Sequence, residues 1–175
     1  MNILQACLDP AVFGSHFRDK DTWASWFAFL AALFGLDLTP HQLAVFQRCT
    51  NRTEPPKHRA SEAWLVCGRR AGKSFVLALV AVFLAAFHDW RPNLGPGERG
   101  TIMIIAADRK QARVIMRYVL GILKAVPMLS QLIEAERQEG IDLANRVTIE
   151  VHTASFRTVR GYSVLAALLD ELAFF

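Results

Sequence analysis

Two short stretches of this 175-residue chain hold residues that could do chemistry on a phosphate. The first is Cys67-Gly68-Arg69-Arg70-Ala71-Gly72-Lys73-Ser74. Gly68 and Gly72 free the backbone to turn so that its N–H groups can converge on phosphate oxygens, and a helix starting near Lys73 adds the positive end of its dipole. Lys73 would bridge the outer phosphates. Ser74 would offer its hydroxyl to a Mg²⁺ ion that also holds the β and γ oxygens. The full pattern G-x-x-x-x-G-K-[ST] asks for glycine at position 67, where this chain has Cys67, so the loop is a variant. The plainer alternative is a helix N-terminus that happens to carry Gly-Lys-Ser.

The second stretch is Asp170-Glu171, which ends the apolar run Val164-Leu165-Ala166-Ala167-Leu168-Leu169. A strand that delivers two carboxylates to its end suits a nucleotide hydrolase. Asp170 can hold the magnesium, usually through water, and Glu171 can orient and deprotonate the attacking water. An acidic helix start after a strand is the competing reading. Occurring together and in this order, the two stretches point to nucleotide hydrolysis.

Positioning these groups requires strands and helices in alternation. Ala63 to Val66 reads as a short buried strand running into the loop, and Phe75 to Phe87 as a buried helix leaving it. Thr101 to Ala107 reads as a strand, Arg109 to Ala125 as a helix, residues 127–143 as a short helix and a turn, and Arg146 to His152 as a strand. Phe156 to Ser163 reads as a loop that carries Arg157, Arg160 and Gly161. This rhythm predicts a three-layer αβα fold around a mostly parallel sheet, with its ligand at the carboxyl ends of the strands. Upstream, residues 1–36 read as a helical segment with Trp23, Trp26, Phe27, Leu30 and Phe34 on one apolar face. Thr39 caps a further helix whose first position is Pro40 and whose first turn holds Gln42.

Composition sets the outer bounds. A hydrophobic content of 53% is ample for a packed core, and 20 basic against 16 acidic residues, net +4, permits a nucleic-acid partner without requiring one. Cys7, Cys49 and Cys67 lie far apart without metal-ligand spacing, which predicts an intracellular setting and no zinc; the five histidines likewise form no ligand pair. The apolar runs Trp23 to Leu36 and Phe75 to Phe87 fall short of the about 20 residues that span a bilayer, so no membrane partner is expected.

The order of these motifs resembles the ATPase domain of the large terminase subunit of tailed bacteriophages, across nearly the whole chain. The resemblance is carried by Leu38-Thr39-Pro40-His41-Gln42, by the Gly68 to Ser74 loop with its arginines, and by Ile104-Ile105-Ala106-Ala107-Asp108-Arg109-Lys110-Gln111-Ala112. It closes with Phe156-Arg157-Thr158-Val159-Arg160-Gly161-Tyr162-Ser163 leading into Leu168-Leu169-Asp170-Glu171.

This resemblance implies a P-loop ATPase domain over residues 37–175 that binds ATP and Mg²⁺ and drives double-stranded DNA translocation. It further implies a homo-oligomeric ring, the phage portal and the small terminase subunit as partners, and the cytoplasm of a bacterial host as location. Gln42 would read the adenine edge. Arg69 would stabilise charge on the γ phosphoryl group, and Arg70 would face solvent or DNA. Arg160 and Gly161 would sense nucleotide, face DNA or form a structural turn.

In the family a further strand, lying between the phosphate-loop strand and the Asp-Glu strand, follows the latter, and then a nuclease domain. The expectation is therefore a chain truncated after the Walker B strand that exposes apolar strand edges. DNA cleavage is not expected of it. Two other readings stay open: a nucleic-acid translocase such as a superfamily 2 helicase, and a remnant that binds nucleotide or a partner without turnover. Leu172-Ala173 after Asp170-Glu171 departs from the helicase tetrad and favours the terminase.

Overall fold

In a computed structural model, which describes residues 1–153 and 161–172, the chain divides into two compact units, 1–68 and 69–175. The first unit is helical: α1 (Ile3–Leu8), α2 (Ala24–Leu33) and α3 (Pro40–Thr50). Asn2 caps α1 and Thr39 caps α3, each through a reciprocal box with a glutamine three residues on. Gly35, at φ +63°, ends the turn after α2; a Cβ there would lie 2.3 Å from the His58 backbone, so only glycine fits. Phe13, Phe17, Leu30 and Ile3 are fully buried. Burial also pushes the Cys7 thiol up to about 12, which keeps it protonated and inert.

The second unit is α/β. Helix α4 (Lys73–Phe87) leads to strand β1 (Gly100–Ala106), helix α5 (Arg109–Ala125), the single turn α6 (Pro127–Ser130), and strands β2 (Ile133–Glu136), β3 (Gly140–Leu143), β4 (Val147–Thr153) and β5 (Ser163–Leu169). The sheet order is β2-β3-β4-β1-β5. Its core, β4-β1-β5, is parallel, and the β2-β3 hairpin adds antiparallel strands at one edge. The mixed α/β class read from the sequence is the observed one. β1 is apolar and buried along almost its whole length because it has a hydrogen-bonded neighbour on each side.

Three expectations are corrected. Ala63 to Val66 is not a buried strand: Trp64 is 74% and Val66 101% exposed, and the backbone of 63–66 makes no hydrogen bond among the described residues. Four apolar residues become a strand only when another strand pairs with them, and among the described residues none does. Within 127–143 the short helix is present as α6, but the β2-β3 hairpin stands where only a turn was expected. Its outer strand, Ile133-Glu134-Ala135-Glu136, faces solvent, so the charge that hid it from periodicity is what an edge strand requires. β5, read as buried, is one of the two edge strands of the sheet with Val164 46% exposed, because among the described residues it pairs with β1 alone. Arg157 and Arg160 lie outside the described residues, whereas Gly161 stands at φ +83°.

The sheet predicts where stability resides. Ile104→Ala, at a fully buried central-strand position, should cost about 2–5 kcal/mol in urea unfolding, whereas Val164→Thr on the exposed edge should stay within about 0.5 kcal/mol.

Candidate functional site

The carboxyl ends of the parallel strands and the start of α4 come together in the second unit. Directly after β5, the Asp170 N–H donates to the Ile105 carbonyl of β1 at 2.8 Å, so the turn is fastened to the central strand. The side chain of Asp170 is 4% exposed, a buried carboxylate that must find donors. It finds two on one oxygen. Ser74 Oγ donates to Asp170 Oδ2 at 3.2 Å across 96 residues of sequence, and Gln111 Nε2 donates to the same oxygen at 3.0 Å.

Each donor is delivered by a helix start. Gly72, at φ +86°, is the N-cap of α4, a left-handed conformation that needs its missing Cβ. Arg70 is also left-handed, at φ +60°, so the loop turns twice before the helix begins. Among the described residues no side-chain hydrogen bond caps the start of α4, whose first residues, Lys73 to Phe75, line the site. On α5, Asp108 caps the helix by accepting the Gln111 N–H at 2.9 Å, and the same glutamine sends its amide to Asp170.

These elements enclose a cavity of about 540 Å³, a size that suits a nucleotide-scale ligand. Arg69, Arg70, Ala71, Gly72, Lys73 and Ser74 line one side and Glu171 another. Phe75, Val114 and Tyr118 form an apolar wall, with the Phe75 and Tyr118 rings edge to face at 5.8 Å. Glu171 is exposed and sits at φ +57°, a conformation that a non-glycine residue adopts only where its surroundings hold it.

The structure thus places Arg69 to Ser74, Asp170 and Glu171 together. Gln42 and Gly68 belong to the first unit. There the Gln42 side chain is occupied in the capping box, accepting the Thr39 N–H at 3.0 Å, and Gly68 is open, with nothing within 4 Å of where a Cβ would stand.

Sequence reasoning missed Gln111 and Tyr118. Gln111 carried a signal, since Asp108-Arg109-Lys110-Gln111 after an apolar strand is a capped helix start that aims position 111 back at the strand ends. Tyr118 carried none, because only the packing of α5 against α4 brings it to the cavity.

The oxygen donors Ser74 Oγ and Asp170 Oδ2 fit Mg²⁺, which takes few protein ligands and fills its remaining positions with water and phosphate oxygens. Among the described residues no cluster of three or more His, Cys, Asp or Glu side chains is placed to hold a metal, and no helix is long and apolar enough to cross a membrane.

Gln111→Ala removes one of two side-chain donors from a buried carboxylate and should cost about 1–3 kcal/mol in chemical denaturation. Gln111→Glu should cost more, because it sets a second carboxylate against Asp170.

No protein-family profile matches the chain, and no curated protein matches it. Among solved structures it is similar to the crystal structure of the HK97 bacteriophage large terminase, at 22% identity and a TM-score of 0.48 over 61% of this chain. The aligned part spans 22% of that terminase chain.

Proposed function

We propose that this chain is the ATP-binding and ATP-hydrolysing domain of a phage DNA-packaging motor, coupling hydrolysis to translocation of double-stranded DNA. The observation that carries the nucleotide part is the Ser74–Asp170 contact, which joins the phosphate-loop helix to the end of the Asp-Glu strand beside a cavity lined by Lys73, Ser74 and Glu171. The motor part is supported by the order of motifs along the chain. Ring assembly, the portal and the small subunit as partners, and a bacterial cytoplasmic setting follow from the same resemblance.

In this reading the uncapped N–H groups of α4 and the Lys73 ammonium bind the outer phosphates, with the helix dipole favouring their charge. Ser74 and Asp170 would hold Mg²⁺, which would supply positive charge to offset that of the phosphates. Gln111 keeps the Asp170 carboxylate aimed at that position. Glu171 accepts the proton of the attacking water, and Arg69 offers its guanidinium to the charge that develops on the γ phosphoryl group. The same resemblance assigns Gln42 to the adenine edge.

A second reading, nucleotide binding without turnover, is favoured by one observation: the run before the loop, Ala63 to Val66, forms no strand, so the loop lacks that anchor. Comparing MgATP binding with hydrolysis separates the two.

Lys73→Ala should abolish tight MgATP binding, measured by calorimetry. Glu171→Gln should keep binding and lower turnover by about 10²–10⁴-fold, and equal turnover by that variant and the parent would remove Glu171 from its role.

A further inference from the structure

Helix α5 carries five cations, Arg109, Lys110, Arg113, Arg117 and Lys124, and no acidic residue. At 3.6 residues per turn, all five fall within an arc of about 100°. Ile115, Val119, Ile122 and Leu123 lie on the opposite side and are buried. The five cations are exposed, and only Lys124 is paired, with Glu136 at 2.8 Å. Among the described residues no carboxylate lies within ion-pair distance of Arg109, Lys110, Arg113 or Arg117. Without these five, 15 basic residues would face 16 acidic ones, so the positive balance of the chain resides on this one face. Like charges at i, i+4 and i+8 repel one another and cost helix stability, a cost that a polyanion along the face would relieve.

We propose that the outer face of α5 is a docking surface for the phosphate backbone of duplex DNA, read without regard to sequence. This deepens the motor reading and rests on it for the choice of DNA among polyanions. Arg109 to Lys124 span about 22 Å of rigid helix, and Arg109 to Arg117 about 12 Å, long enough to follow several phosphates. Three of the four unpaired cations are arginines, whose planar guanidinium matches phosphate oxygens in pairs. An anionic membrane is the poorer fit, because the apolar side of α5 is already buried and has nothing to insert among lipid chains.

The same helix carries Val114 and Tyr118 on the cavity wall and Gln111 on Asp170, so in this reading its inner edge meets the phosphate site while its outer face meets DNA. A shift of α5 on loading or loss of nucleotide would therefore move the DNA-gripping surface.

The test is a salt titration of the 175-residue chain with fluorescein-labelled duplexes of two unrelated sequences. The parent is compared with Arg113→Gln/Arg117→Gln, with Arg113→Lys/Arg117→Lys, and with a control pair on exposed positions of the first unit, Arg52→Gln/Lys57→Gln. Circular dichroism checks that each variant is folded. The expected result is a plot of log affinity against log salt that is shallower by about two in the glutamine pair, with affinity down about tenfold per arginine at 0.1 M salt. The loss should be equal for both duplexes, and the lysine pair and control pair should keep the parental slope.

An unchanged slope in the glutamine pair, an equal loss in the control pair, or binding of the parent to phosphatidylserine vesicles but not to duplex would each overturn the proposal. Calorimetry with MgATP on the same proteins keeps the two readings apart: DNA binding through α5 by a chain that binds no ATP would sink the nucleotide site and leave this surface standing.

Discussion

A buried carboxylate must be compensated, and Asp170 is the group around which the second unit is organised. Its one oxygen accepts from Ser74 at the start of α4 and from Gln111 at the start of α5, while its own N–H is tied to β1. Three elements far apart in sequence therefore end at one point. Loss of either donor leaves charge in a place that water does not reach, which is why the arrangement is fixed more tightly than apolar packing alone would fix it. The charge that stabilises the corner is also the charge that suits a metal-bound phosphate.

Around that point the two long helices divide the work. α4 is apolar along nearly its whole length and serves as a largely buried prop whose start brings Lys73 and Ser74 to the cavity. α5 is strongly amphipathic: its apolar side joins the core, one edge reaches the cavity through Val114 and Tyr118 and Asp170 through Gln111, and another face is cationic. Such a helix can feel a change at the cavity and display it elsewhere, because a rigid rod moves as a whole.

Legibility in the sequence followed how local each decision was. Thr39 and Pro40 announced α3, Asp108 announced α5, and Gly72-Lys73-Ser74 announced α4, since caps and left-handed turns are settled within a few residues. β1 was legible as a nearly continuous apolar run, and β4 by the apolar–polar alternation of Val147 to Thr153. The hairpin of β2 and β3 was not, because its outer strand is polar, and Ala63 to Val66 was misread, because strand character depends on a neighbour that no local pattern encodes.

The sequence by itself determined the chemical inventory: a glycine turn with lysine and serine, an Asp-Glu pair at the end of an apolar run, and a helix whose charges all have one sign. These follow from residue type and from spacings of one or two turns. Only the tertiary structure decided that Ser74 and Gln111 share one oxygen of Asp170, that Tyr118 closes the cavity wall, and that β5 stands at the sheet edge. Those are contacts between residues tens of positions apart, set by strand order and helix packing, and such contacts leave no periodic trace in a single chain.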